Sequence, residues 1–118
     1  GKYSLVKPPE SLIFEIEYLR DISSQDLIER TIEQWQYLSF PESRYQHFIP
    51  ALAQIWPNIS ANDKLTLAVS NERSVFFFNQ QEIGQINDRD FGRLFLDIWL
   101  SPDTSQKKLR AQLLGEKQ

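Results

Sequence analysis

The sequence predicts an α+β fold: an antiparallel β-sheet, made of a meander plus an N-terminal strand, with helices packed on one face. Two observations predict it. Residues 64–70, 73–79 and 82–86 are three short apolar runs joined by Ser70-Asn71-Glu72-Arg73 and Asn79-Gln80-Gln81, the pattern of an antiparallel meander. The segment after them, residues 88–100, sets Phe91, Leu94, Phe95, Ile98 and Trp99 at i, i+3, i+4, i+7 and i+8. That spacing lines one face of a helix. Such a face has to be buried, and the sheet just formed is the nearest surface on which to bury it.

The remaining elements follow in order. Residues 1–11 form an extended N-terminal segment, weakly patterned, in which Lys7-Pro8-Pro9 disfavours helix. A clear alternation comes next: Leu12, Phe14, Ile16 and Tyr18 point one way, Ile13, Glu15, Glu17 and Leu19 the other. Arg20 continues the inward row. Ser23-Ser24-Gln25-Asp26 caps a helix with Ser23 at the N-cap and Asp26 at N3. Leu27, Ile28, Thr31, Ile32, Trp35 and Leu38 share a face of this helix, which stops at Phe40-Pro41. A second helical region carries Tyr45, Phe48, Leu52, Ile55 and Trp56, and Pro50 inside it requires a break with a restart in which Pro50 occupies the first turn. In the meander, residues 75–78 are apolar on both faces, so this strand is expected to be central and covered on both sides. Ser101-Pro102-Asp103-Thr104 reads as a turn with Thr104 as N-cap of a last helix, and Gly115 suits its C′ position.

Length and composition narrow the function. The 118 residues make one domain with room for a core. A net charge of −3 with interspersed signs leaves no basic footprint, so nucleic acid is not an expected partner. The absence of cysteine removes disulfides, thiolate nucleophiles and Cys-ligated zinc. No apolar run reaches membrane-spanning length, and no signal peptide opens the chain.

Few residues could carry chemistry. His47 is the single histidine, out of phase with Tyr45 and Leu52, and is expected to face solvent; no metal or catalytic spacing surrounds it. No catalytic residue, metal ligand or cofactor is therefore expected. Arg20 is the residue of most interest, because a guanidinium at the end of a core-facing row could hold a carboxylate at the mouth of an apolar cleft, with the Tyr18 hydroxyl as a second donor. The simpler alternative is a rim pair with Asp21, Glu29 or Glu33, worth ~0–1 kcal/mol. Most aromatics belong to the core, but Phe76 and Phe78 on one face of their strand, or Val75 and Phe77 on the other, are candidates for lining a pocket. Lys107, Lys108 and Arg110 read as a solvated face.

Phe91-Gly92-Arg93-Leu94-Phe95-Leu96-Asp97-Ile98-Trp99-Leu100-Ser101-Pro102-Asp103-Thr104-Ser105, followed by Leu109-Arg110 and Leu113-Leu114-Gly115, resembles the C-terminal signature of bacterial chalcone isomerase-like proteins. Tyr18-Leu19-Arg20-Asp21-Ile22-Ser23, Ile55-Trp56-Pro57-Asn58-Ile59, Asn62-Asp63-Lys64-Leu65-Thr66-Leu67, Phe77-Phe78-Asn79 and Ile83-Gly84-Gln85-Ile86 agree in order and spacing. The resemblance implies an antiparallel sheet with helices layered on one face and a cleft that, in plant relatives, binds flavonoids or fatty acids. It does not imply chalcone isomerase activity. In the plant enzyme an arginine and a threonine on paired N-terminal strands do much of the work, and only about a dozen residues precede the first alternating strand here. The expectation is that the family's N-terminal strands are lacking or come from another chain. By the same resemblance the periplasm is the expected location.

The function expected from the sequence is a non-enzymatic domain that binds a small apolar or fatty-acid-like ligand between sheet and helices, with Arg20, Tyr18, Phe76 and Phe78 as contacts. One alternative is a structural or interaction domain whose exposed sheet face meets a partner, whether a second copy in a homodimer or the missing strands. The third is an isomerase or lyase using Tyr18, Tyr45 and Arg20 for proton transfer.

Overall fold

The computed structural model describes residues 1–7 and 11–115. Its five strands, β1 (Lys2–Val6), β2 (Leu12–Glu17), β3 (Lys64–Val69), β4 (Ser74–Phe78) and β5 (Gln81–Ile86), form one antiparallel sheet in sequence order. The N-terminal segment, expected to be only extended, is thus an edge strand, with Tyr3 opposite Ile16 and Leu5 opposite Phe14. The Pro8-Pro9 pair lies outside the described residues. The meander forms as expected. Its β4–β5 turn has two residues with positive φ, Asn79 at 48° and Gln80 at 73°, the twist that suits a two-residue hairpin. The Asn79 side chain ties the turn down, accepting from the Lys64 N–H at 2.8 Å and donating to the Asp63 carboxylate at 3.0 Å.

Five helices follow the expected pattern: α1 (Ser24–Tyr37), α2 (Glu42–Tyr45), α3 (Ile49–Ile55), α4 (Arg89–Leu100) and α5 (Lys107–Leu113), with a 3₁₀ turn at Gln46–Phe48. Ser23 caps α1 by accepting from the Asp26 N–H at 3.1 Å. Pro50 sits in the first turn of α3, where its missing N–H costs nothing. Asp88 caps α4 through the N–H groups of Asp90 and Phe91. Gly115 ends α5 with φ of 71°, a left-handed conformation that favours glycine.

One correction concerns Thr104. It does not cap α5, whose N-cap is Gln106. Its buried hydroxyl instead donates to the Ile98 carbonyl and accepts the Gln106 N–H at 3.0 Å, folding the α4–α5 connection back on the end of α4.

The main core lies between the sheet and α4. Phe91, Leu94, Phe95 and Ile98 are all buried against Leu65, Leu67 and Phe76, each worth ~1.5–3 kcal/mol of burial. A smaller cluster of Phe14, Ile16 and Leu96 extends the core towards β1 and α5. Trp35, fully buried on α1, donates its indole N–H to the Leu94 carbonyl at 3.0 Å and so locks α1 over α4.

The strand expected to be central and covered on both sides is neither. β3 is central, β4 lies one in from the β5 edge, and Val75 and Phe77 on its second face belong to neither buried cluster.

Where α4 starts, it approaches the sheet too closely for a side chain. A Cβ on Gly92 would stand 2.5 Å from Val69 Cγ1 and 3.0 Å from Ser74 Oγ. Gly92→Ala is therefore expected to lower stability in urea unfolding by ~1–3 kcal/mol. Arg93→Ala, at the exposed neighbouring position, should stay within about 0.5 kcal/mol of the parent.

Candidate functional site

A clamp between residues 18–24 and 58–63 prepares one end of the site. Beyond the end of β2 the chain keeps strand-like pairing: the Tyr18 N–H reaches the Asp63 carbonyl at 2.9 Å, and the Tyr18 carbonyl accepts from the Asn62 N–H at 2.7 Å. Ile22 and Ile59 exchange both backbone bonds, at 2.9 and 2.8 Å. Asp21 accepts from the Ala61 N–H and Asn58 from the Ser24 N–H. These contacts fix Tyr18 at the inner face of the sheet and set where α1 begins.

Between the sheet and the two helices α1 and α4 lies a cavity of about 250 Å³. Its interior is apolar: Ile16 and Leu65 come from the sheet, Leu27 from α1, Phe95 and Ile98 from α4, and Ile22 and Trp56 from the clamp and the end of α3. All of these are buried. The rim is polar: Tyr3 and Tyr18 at one side, Arg30 and Gln34 on α1, and Gln106 in the α4–α5 connection, with Trp99 completing it. Across the rim, the Ser105 hydroxyl is 2.8 Å from Gln34 Oε1.

Two interior polar groups need an account. The Thr31 hydroxyl is satisfied by the Leu27 carbonyl at 2.8 Å. Among the described residues the Trp56 indole N–H has no hydrogen-bond partner. Trp56 meets Phe76 and Phe95 at interplanar angles of 88° and 61°, with centroids 5.6 and 5.8 Å apart, a geometry in which an indole N–H can rest on an aromatic face.

Burial dominates the electrostatics of the rim. It pushes the Tyr18 phenol well above its ordinary range, an effect the neighbouring Tyr3 adds to and the Arg30 charge partly offsets. The Tyr3 phenol is raised for the same first reason, with the Trp99 side chain acting against it. Both tyrosines therefore stay protonated hydrogen-bonding groups across the physiological range.

The residues singled out in the sequence do not converge. Tyr18 lines the cavity. Arg20 does not: β2 ends at Glu17, the alternation stops before it reaches Arg20, and the side chain is exposed. Phe76 is fully buried, with Phe91 and Phe95 rings at 6.1 and 5.9 Å. Phe78 is half-buried on the same strand face and packs against the main core outside the cavity. His47 is exposed, its ring 4.0 Å from that of Phe48.

Arg30 is hidden in the sequence beside the apolar stripe of α1. Leu27, Arg30, Thr31 and Gln34 are nevertheless an i, i+3, i+4, i+7 set. A helix stripe that turns polar partway along was the available signal. A larger depression, lined by Asn71, Glu72, Arg73, Asp88 and Asp90, is an open, polar surface concavity at the other end of the sheet.

Comparison with known proteins agrees with this architecture. The profile of the chalcone isomerase-like family matches residues 4–115. An uncharacterized protein of Haemophilus influenzae is 26% identical over 105 residues, covering 89% of this chain and 52% of the relative. The crystal structure of an Arabidopsis thaliana fatty-acid binding protein superposes with a TM-score of 0.71 at 12% identity, covering 88% of this chain and 55% of that one. The chain thus spans about half the length of these two relatives. The Arabidopsis likeness bears on the fold alone, and the fold, the order of the elements and the family match agree: the chain belongs to the chalcone isomerase-like family.

Proposed function

We propose that this domain binds a small amphipathic carboxylic acid, fatty-acid-like in character, between the sheet and the α1–α4 layer, and does no chemistry on it. One observation carries this reading: the cavity separates an apolar interior from a polar rim that includes a cation. An acyl tail would bury apolar surface inside, and a carboxylate would meet Arg30 and the Tyr18 hydroxyl at the mouth. The fold likeness to a fatty-acid binding protein supports the same ligand class.

Proton-transfer chemistry fits the rim less well. Burial raises its two phenols, further away from the near-neutral pKa that efficient acid–base catalysis favours.

The interaction reading retains one specific support. Val6, Ile13, Ala68, Val75 and Phe77 lie on the sheet face away from the helices and belong to neither buried cluster. A monomer at high concentration in size-exclusion chromatography would count against a homodimer through that face.

Titration with a fluorescent fatty acid tests the main proposal. Arg30→Ala should weaken binding about tenfold, the scale of one lost charge-assisted contact at a partly wet rim. Arg20→Ala should bind like the parent. Equal affinity in all three proteins, or no saturable binding, would reject the assignment.

Tyr18 adds a pH test. Its folded pKa lies above the unfolded value of about 10. The associated stability is therefore complete below pH ~10 and is lost as the unfolded chain releases a proton that the folded chain keeps. Between pH 9 and 11 the parent should lose roughly 1 kcal/mol more stability than Tyr18→Phe. Equal losses would contradict the burial of that phenol.

A further inference from the structure

We infer that the aromatic inner wall of this cavity sets a limit on ligand length, so that the domain selects medium-chain carboxylic acids, of about eight to ten carbons, over the long-chain acids of membranes. The inference rests on the ligand-binding reading above and adds to it a specificity that the polar rim alone would not impose.

Volume is the first support. An apolar cavity of ~150 Å³ accepts one benzene, six carbon atoms, so by proportion the cavity of about 250 Å³ accepts about ten non-hydrogen atoms. A sixteen-carbon chain would leave about six carbons without space.

Orientation is the second. Arg30, Gln34 and Gln106 stand at the mouth, while Trp56, Leu65, Phe95 and Ile98 are the least exposed of the lining residues. A carboxylate buried among those four side chains would lose its hydration without gaining a cation. The head group is therefore held at the rim, the tail must run inward, and it cannot choose instead to trail into water.

The third support is what stands behind the inner end. Trp56 and Phe95 are both buried, and they close against Phe76, which is fully buried with ring centroids 5.6 and 5.9 Å away. A close-packed aromatic cluster of this kind does not part to admit further methylenes without strain. Ile16 and Leu65 of the sheet and Ile98 of α4 line the cavity beside them. Trp56 and Phe95 thus act as an end wall.

A chain-length series tests this. Saturated acids from six to sixteen carbons, each kept below its micellar concentration, are titrated against the full chain by displacement of a fluorescent fatty acid. Affinity should rise about fourfold per added methylene while the tail is still being buried, then stop rising or fall beyond about ten carbons. An affinity that keeps rising with the same slope to sixteen carbons would overturn the length limit and leave the binding site standing. Failure of every acid to displace or bind would overturn the site itself. Trp56→Leu removes bulk from the end wall and should move the break to longer chains. A folded Trp56→Leu protein with an unmoved break would remove the wall from Trp56, and the parent series decides the length limit whether or not the variant folds.

Discussion

The apolar face of α4 pressed against the inner face of the sheet is the contact on which the rest of the structure depends. Phe91, Leu94, Phe95 and Ile98 supply the face, Leu65, Leu67 and Phe76 the surface that receives it. Gly92 sets how near the two can come, because any side chain there would strike Val69 and Ser74. With α4 fixed, the carbonyl of Leu94 gives Trp35 its hydrogen-bond partner, and α1 is laid over α4 in a defined position. The connection after α4 is pulled back by Thr104, whose hydroxyl joins Ile98 to Gln106.

The cavity is a by-product of that geometry. Close approach at the Gly92 end of α4 gives way, further along the helix, to the cavity that Ile16, Tyr18 and Leu65 share with Phe95 and Ile98. The clamp between residues 18–24 and 58–63 keeps Tyr18 from relaxing into the gap. Aromatic contacts reinforce both sides: Trp99 stands 4.6 Å from Phe14 and 5.1 Å from Phe95, centroid to centroid. The result is a space with dry walls and a wet edge, the arrangement that favours an amphipathic occupant.

Much of the architecture was legible in the sequence because its signals were local. The meander announced itself through strand spacing, α4 through its periodicity, α1 through Ser23 and Asp26, and the restart of α3 through Pro50. What was not legible depended on tertiary partners. β1 is five residues long, and its inward residues, Tyr3 and Leu5, become meaningful only when Ile16 and Phe14 stand opposite them. Arg20 falls on the inward row only if β2 continues past Glu17, where it ends. Arg30 lay on a helix shoulder whose importance comes from the rim it meets, formed by Tyr3, Tyr18 and Gln106 from three separate parts of the chain. Thr104 has the composition of an N-cap and is instead buried as a tie between two segments.

The central claim is that ligand enters between the sheet and α4, and not on the sheet's opposite face. Methyl-resolved NMR during titration with decanoate reads this directly. The account predicts large shifts for the methyl groups of Ile16, Leu65 and Ile98, with intermolecular contacts to the acyl chain, while those of Val6 and Val75 stay where they were. Shifts concentrated on Val6, Ile13 and Val75, with the cavity methyls unmoved, would contradict it.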